Sequence, residues 1–303
     1  MRSFPLTSAR ACLWLALLVR PCFADPASMP ESRRLGATTA AIEAAIGRSG
    51  ADVAVAFRTL DGRSSLLLRA DEPFHAASTM KVPVLIELYR QAHQGKLRLD
   101  DTLVIRNEFR SLVDGSPYAL DPSDDSEADL YRAVGSTRTL AQLADLMITV
   151  SSNLATNLLI ERLGVGNIRH GVHALGADGM QVLRGVEDSK AFQQGLNNTT
   201  TARALERLME AIARGRAVDR AASRAMSAIL ERQTFNDGIP AGLPPGTRVA
   251  HKTGEITKIQ HDAAIVYAPR PFVLVILTRG IADPKESSGL IATITRQLYA
   301  AAE

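Results

Sequence analysis

A serine followed three residues later by a lysine occurs once in the 303-residue chain, at Ser78-Thr79-Met80-Lys81. A serine hydroxyl is a weak nucleophile until a neighbouring base takes its proton. Lys81 lies one helical turn on, so the two side chains share a face if a helix begins here. The apolar Val82, Val84, Leu85, Ile86 and Leu88 around it favour loss of its proton by burial. A nucleophile at a helix start also meets free backbone N–H groups and the positive end of the helix dipole. Two further segments are unique in the chain: Ser151-Ser152-Asn153 as Ser-x-Asn, and Lys252-Thr253-Gly254 as Lys-Thr-Gly. Each has a plain alternative role: Ser78 as a helix cap, Ser151 bonding its own helix backbone, Lys252 as a solvated strand lysine. In combination each sits where chemistry needs it. Ser151-x-Asn153 ends an apolar helical run on a turn that can project into a cleft, and Gly254 allows close backbone approach by a substrate.

These residues need a scaffold. Leu35 to Ile46 has helical apolar spacing and ends near Gly47. Ala54–Leu60 and Ser65–Leu68 read as strands joined through Asp61-Gly62, a hairpin signal. A helix is expected over Lys81–Gln94, with Pro83 in its tolerant first turn. Residues 132–175 read as helical with Gly135, Gly164, Gly166 and Gly171 as punctuation, and Thr199–Arg214 and Ala217–Gln233 add two helices. Arg248–Lys252, Ala263–Ala268 and Phe272–Thr278 are strand-like, and Pro284–Ala301 closes as a helix. Strands at both chain ends around a helical middle imply an α+β fold, with an antiparallel sheet completed by both termini and an inserted helical lobe. A cleft between two such lobes is a natural place for a site.

In this order the three segments resemble those of class A serine β-lactamases and the related penicillin-binding proteins. Thr139 to Gly164 looks like that family's helical lobe, and Arg248 to Gly280 like its sheet. The resemblance implies a two-lobe fold in which Ser78 attacks a β-lactam or peptide carbonyl to give an acyl-enzyme. Lys81 would help deprotonate it, and Ser151 would pass a proton to the leaving nitrogen. Asn153 would bond the substrate's side-chain amide, while Lys252 and Thr253 would hold its carboxylate. The N–H groups of Ser78 and Glu255 would form an oxyanion hole, a donor there contributing about 3 kcal/mol.

Two departures stand out. Ser152 replaces an aspartate, which puts the local turn in doubt. The family's water-activating glutamate belongs to a loop matching Leu183–Thr201, where Glu187 is the candidate although the surrounding proline and Leu-Asn are missing. The alternative for Glu187 is a solvated loop acid. Asn198 stands where an aspartate would pair with the loop arginine, here Arg184. His261 falls near a substrate-binding arginine position, and is either a partial substitute or a structural strand histidine. His75 suggests a Ser-His-Asp triad, but the chain has no Gly-x-Ser-x-Gly elbow. His170 and His173 lack a third ligand at zinc-like spacing and read as surface residues; no metal or cofactor is called for.

The N-terminus sets the compartment. Arg2 and Arg10, an apolar run over residues 11–19 and Ala24 have the pattern of a secretory leader, residues 1–24. The run is too short to span a bilayer, which takes roughly 20 residues, so a secreted or periplasmic protein without stable membrane insertion is expected. Both cysteines, Cys12 and Cys22, fall in the leader, as do three arginines, leaving 32 basic and 32 acidic residues. That balance, with no basic cluster, argues against nucleic acid. Residues 25–303 suffice for one catalytic domain, with a sheet lobe near 30–75 and 215–303 and a helical lobe near 76–214. The leading expectation is a monomeric β-lactam hydrolase acting on a β-lactam or cell-wall peptide. The alternatives are a D,D-peptidase or esterase with slow deacylation, and a non-catalytic wall-binding module.

Overall fold

The computed structural model describes residues 31–303; the expected leader and both cysteines lie outside them. Helix α1 (Glu31–Ser49) leads through Gly50 into β1 (Asp52–Thr59). The hairpin signal acts as expected: Asp61 Oδ1 accepts from Thr59 Oγ1 and from the Arg63 N–H, Gly62 has φ 76°, and β2 (Ser65–Leu68) returns antiparallel. After β3 (Phe74–His75), a 3₁₀ turn over Ala77–Met80 runs straight into α2 (Lys81–His93).

Short pairs follow: β4 (Thr102–Val104), β5 (Phe109–Arg110), β6 (Pro117–Tyr118) and β7 (Thr137–Thr139), with α3 (Ala128–Arg132) between the last two. β4 pairs with β7, and β5 with β6. The helical reading of residues 132–175 therefore divides. Its helices are α4 (Leu140–Thr149), opened by a Thr139–Gln142 capping box, then α5 (Asn153–Leu163) and α6 (Val165–Ala174). The breaks fall at Ser151, φ 60°, and Gly164, φ 81°. Helix α7 (Ser189–Gln193) and β8 (Thr199–Thr200) precede α8 (Ala202–Ala213). That helix starts later than Thr199 because Thr199 and Thr200 pair with β3 and Thr201 caps it. Helix α9 (Arg220–Leu230), strands β9 (Arg248–Ile256), β10 (Ile259–Tyr267) and β11 (Phe272–Arg279), and α10 (Pro284–Ala302) complete the chain.

Both chain ends build one antiparallel sheet, ordered β2-β1-β11-β10-β9. The register runs from Asp52 opposite Arg279 to Thr59 opposite Phe272. Alternate side chains enter two cores. Ala54, Ala56, Val273, Val275 and Leu277 face the helical side, whereas Val53, Val55, Phe57, Leu274 and Ile276 pack toward α1 and α10. Because both faces are covered, these strands read as unbroken apolar runs. Burying each such large side chain contributes about 1.5–3 kcal/mol. β9 is one of the sheet's two edge strands and passes beside the Ser78 turn.

Candidate active site

The Ser78 turn is built under constraint. Ala77 is held at φ 45°, the left-handed region that side chains disfavour, at a cost on the order of 1–3 kcal/mol. Its N–H donates to His75 Nδ1 (3.1 Å), and Thr79 closes the turn from Oγ1 onto the Ala76 carbonyl (2.6 Å). The edge strand comes so close that a Cβ on Gly254 would sit 3.1 Å from the backbone nitrogens of both Ser78 and Thr79. The close approach expected of a substrate at Gly254 is thus made by the Ser78 turn itself. Glycine here lets the strand carrying Glu255 pass against the turn, and Ser78 and Glu255 line the same cleft.

Lys81 and Lys252 are both fully buried beneath Ser151. Lys81 Nζ donates to Ser151 O (2.6 Å), Ser151 Oγ (3.1 Å) and Asn153 Oδ1 (2.8 Å). Burial lowers its pKa to about 7, against the pull of Asp125 and Glu187. Among the described residues no hydrogen bond joins it to Ser78 Oγ. Catalytic contacts of this kind often form only once substrate is bound. Lys252 Nζ donates to Ser151 Oγ (3.0 Å) and Thr253 O (2.9 Å). Burial first, and then the charge of Lys81, hold its pKa well below that of a free lysine.

Ser151 reaches this position with φ 60°. The doubt over Ser152 resolves as an ordinary cap: its Oγ accepts from the Ala155 N–H (3.2 Å). The Asn153 and Leu154 N–H groups instead donate to Asp125 Oδ2 (2.8 and 2.9 Å), a residue the sequence reading missed.

Glu187 is no solvated loop acid. It is half-buried at φ 61°, and its Oε1 accepts from Asn153 Nδ2 (3.0 Å) while Oε2 accepts from the Asp121 N–H (3.1 Å). Burial raises its pKa, with Asp124 and Asp125 adding to the effect and those two hydrogen bonds opposing it. Its loop is tied down by residues without a local signal. Asn157 on α5 clamps Val186, accepting from its N–H (2.7 Å) and donating to its carbonyl (3.0 Å). Asp188 caps α7 and holds Ser111 Oγ and the Leu112 N–H (both 2.8 Å).

The remaining candidates fall into place around this centre. Asn198 does not pair with the Arg184 guanidinium; it brackets the Arg184 backbone, accepting from its N–H (3.1 Å) and donating to its carbonyl (3.0 Å). The guanidinium reaches the carbonyls of Leu196 (2.9 Å) and Gly185 (3.0 Å), closing the loop on itself. His261 is fully buried, with Nε2 2.8 Å from the His75 carbonyl and Nδ1 accepting from the Thr278 N–H (3.2 Å). Burial pulls its pKa down to about 4, which disfavours the charged form an arginine substitute needs and fits the structural alternative. His75 is turned to Ala77, which leaves no triad. His173 pairs with Asp178 at the surface, and His170 is exposed. Among the described residues no group of three His, Cys, Asp or Glu is placed to hold a metal.

Ser78, Ser151, Asn153, Thr253 and Glu255 line one cleft. Lys81 and Lys252 lie beneath it, and Glu187 joins it through Asn153. A serine beside a buried lysine of depressed pKa, in a cleft between a sheet edge and a helical layer, is the arrangement of a lysine-assisted serine hydrolase. Comparison with known proteins narrows the class. The sequence model of the β-lactamase enzyme family matches residues 37–302, and the chain belongs to that family. It is similar to a β-lactamase of Bacillus licheniformis, with 28% identity over 241 residues, 75% of this chain and 72% of the relative. Among solved structures, a β-lactamase from Sphaerobacter thermophilus superimposes with a TM-score of 0.76 and 26% identity, over 88% of this chain and 97% of the other. A mutant of PBP-A, solved as an acyl-enzyme complex with penicillin G, has a TM-score of 0.76 and 28% identity, over 90% and 98% of the two chains.

Proposed function

We propose that this chain is a serine β-lactamase that opens the lactam amide through an acyl-enzyme on Ser78 and releases it with water activated by Glu187. One observation carries the reading. A single side-chain amide, that of Asn153, accepts from Lys81 Nζ (2.8 Å) and donates to Glu187 Oε1 (3.0 Å), so a base for each half-reaction hangs from one residue.

In the acylation half, Lys81 titrates near 7 and takes the Ser78 proton as the oxygen attacks the lactam carbonyl. The developing oxyanion meets the Ser78 and Glu255 N–H groups, a reading supported by the close packing of Gly254 on the Ser78 turn. Ser151 Oγ, between Lys81 (3.1 Å) and Lys252 (3.0 Å), relays a proton to the departing nitrogen. Lys252 and Thr253 hold the substrate carboxylate. The second N–H of Asn153 reaches only the Asp124 carbonyl, at 3.5 Å, and so remains for the substrate's side-chain amide. In the second half Glu187 draws a proton from water, which attacks the ester carbon; Ser78 leaves with a proton returned to its oxygen.

Residues 25–303 act as one catalytic unit, with export directed by residues 1–24. The test is turnover of the chromogenic cephalosporin nitrocefin by wild type and by Ser78→Ala. Rapid hydrolysis, abolished in the variant, is expected. A folded wild type that forms a stable penicilloyl adduct without turnover would overturn the lactamase reading in favour of a D,D-peptidase.

A further inference from the structure

The pattern this chain resembles puts an aspartate where Ser152 stands, and the structure contains a carboxylate at the same helix start from elsewhere. Asp125 comes in from the segment between β6 and α3. Its Oδ2 accepts from the Asn153 and Leu154 N–H groups (2.8 and 2.9 Å) and from Tyr131 Oη (2.8 Å), and its Oδ1 from the Glu127 N–H (3.1 Å). With Ser152 Oγ on the Ala155 N–H, the first three N–H groups of α5 are satisfied by two separate segments. The same segment touches the deacylation side of the site, because the Asp121 N–H donates to Glu187 Oε2 (3.1 Å).

We propose that Asp125 is a positioning residue of this enzyme: it fixes the Ser151-x-Asn153 turn from outside the motif and supplies one of the two negative charges that face Lys81.

The geometry requires something of this kind. Ser151 is held in the left-handed region, and that strain persists only where surrounding bonds over-determine it. Two charge-assisted bonds, on the N–H groups two and three residues further on, do so. The charged groups acting on Lys81 are Asp125 and Glu187, which favour its protonated form, and Lys252, which shares Ser151 Oγ with it. Tyr131, whose hydroxyl is held protonated by burial and by its bond to Asp125, donates to the carboxylate without cancelling its charge.

The proposal rests on the previous section only in taking Lys81 as the base. Its test uses Asp125→Asn, and Asp125→Asn combined with Ser152→Asp, which moves the carboxylate into the motif. Two quantities are read: the single-turnover acylation rate with nitrocefin, and the titration midpoint of Lys81 by NMR of its labelled side chain without substrate. Asp125→Asn is expected to slow acylation by about tenfold or more, as for loss of a charged hydrogen-bond partner, and to lower the Lys81 midpoint. The double variant is expected to recover most of both. A folded Asp125→Asn protein with wild-type acylation and an unmoved midpoint overturns the proposal. If that variant does not fold, the double variant decides: near-wild-type acylation supports the role, and a tenfold loss in a folded protein overturns it. A wild type that fails to open nitrocefin sinks the lactamase reading instead, while the Lys81 midpoint still decides on Asp125.

Discussion

Asn153 holds Glu187 by a 3.0 Å hydrogen bond from Nδ2 to Oε1, although the two residues are 34 positions apart. That bond turns a loop acid into a candidate base aimed at the acyl-enzyme. Glu187→Gln keeps an acceptor for Asn153 but cannot take a proton. Acylation should survive and deacylation should fall by about 10²–10⁴-fold, the usual contribution of a general base. Intact-protein mass spectrometry after penicillin should then find nearly all enzyme carrying the adduct. A variant that turns over at the wild-type rate would remove Glu187 from the mechanism.

The two half-reactions should separate by pH. Lys81 acts as base in its neutral form, and burial has lowered its pKa to about 7, so single-turnover acylation should fall as pH drops through about 7. Glu187 acts ionised and its pKa is raised by burial, so deacylation of preformed acyl-enzyme should fall as pH drops toward that raised value. Glu187 also favours the protonated form of Lys81. Glu187→Gln should therefore move the acidic limb of acylation to lower pH. An acylation rate flat from pH 6 to 8 would rule out Lys81 as the titrating base.

Gly254 tests the oxyanion hole without touching a reacting side chain. A methyl group there would meet the Ser78 and Thr79 nitrogens at 3.1 Å and push the strand away from the turn. Removing one oxyanion donor costs about 10²–10³ in kcat in a well-studied protease, and Gly254→Ala should lose kcat on a scale approaching this. Because β9 is paired on one side only, melting temperature should change little. A variant with normal kcat would mean that Glu255 contributes no donor.

What was legible in the sequence followed the range of each interaction. The hairpin at Asp61-Gly62 and the helix at Lys81 rest on local patterns, and both form where expected. The three motif segments could be recognised one by one because each is contiguous. The clamps could not. Asp125 meets Asn153 across 28 positions and Asn157 meets Val186 across 29, and no periodicity marks a side chain that bonds a distant backbone. His261 stays open in the sequence for a related reason: a substrate contact and a structural strand histidine look alike there, and only its burial against His75 and Thr278 separates them. Residues 132–175 read as helical with glycines as punctuation, and Gly164 does mark a break; β7 carries no such local sign, because it forms by pairing with the distant β4.

Asn157 offers a test of how Glu187 is aimed. Its amide makes two bonds to Val186, one residue before Glu187, and is almost fully buried. Asn157→Ala leaves a buried backbone N–H and carbonyl without partners, at a cost of about 1–3 kcal/mol each where no water replaces them. The variant should melt at a lower temperature. The more telling effect is kinetic. Ser78, Lys81 and Ser151 do not depend on this clamp, so acylation should stay within a few-fold of wild type. Glu187 loses the anchor that holds it at φ 61°, so deacylation should slow by about tenfold or more, as expected when a positioned group drifts by an ångström. Rapid-quench mass spectrometry would measure both rates on one sample. Equal losses in the two steps would mean that Asn157 supports the whole site and not the Glu187 loop in particular.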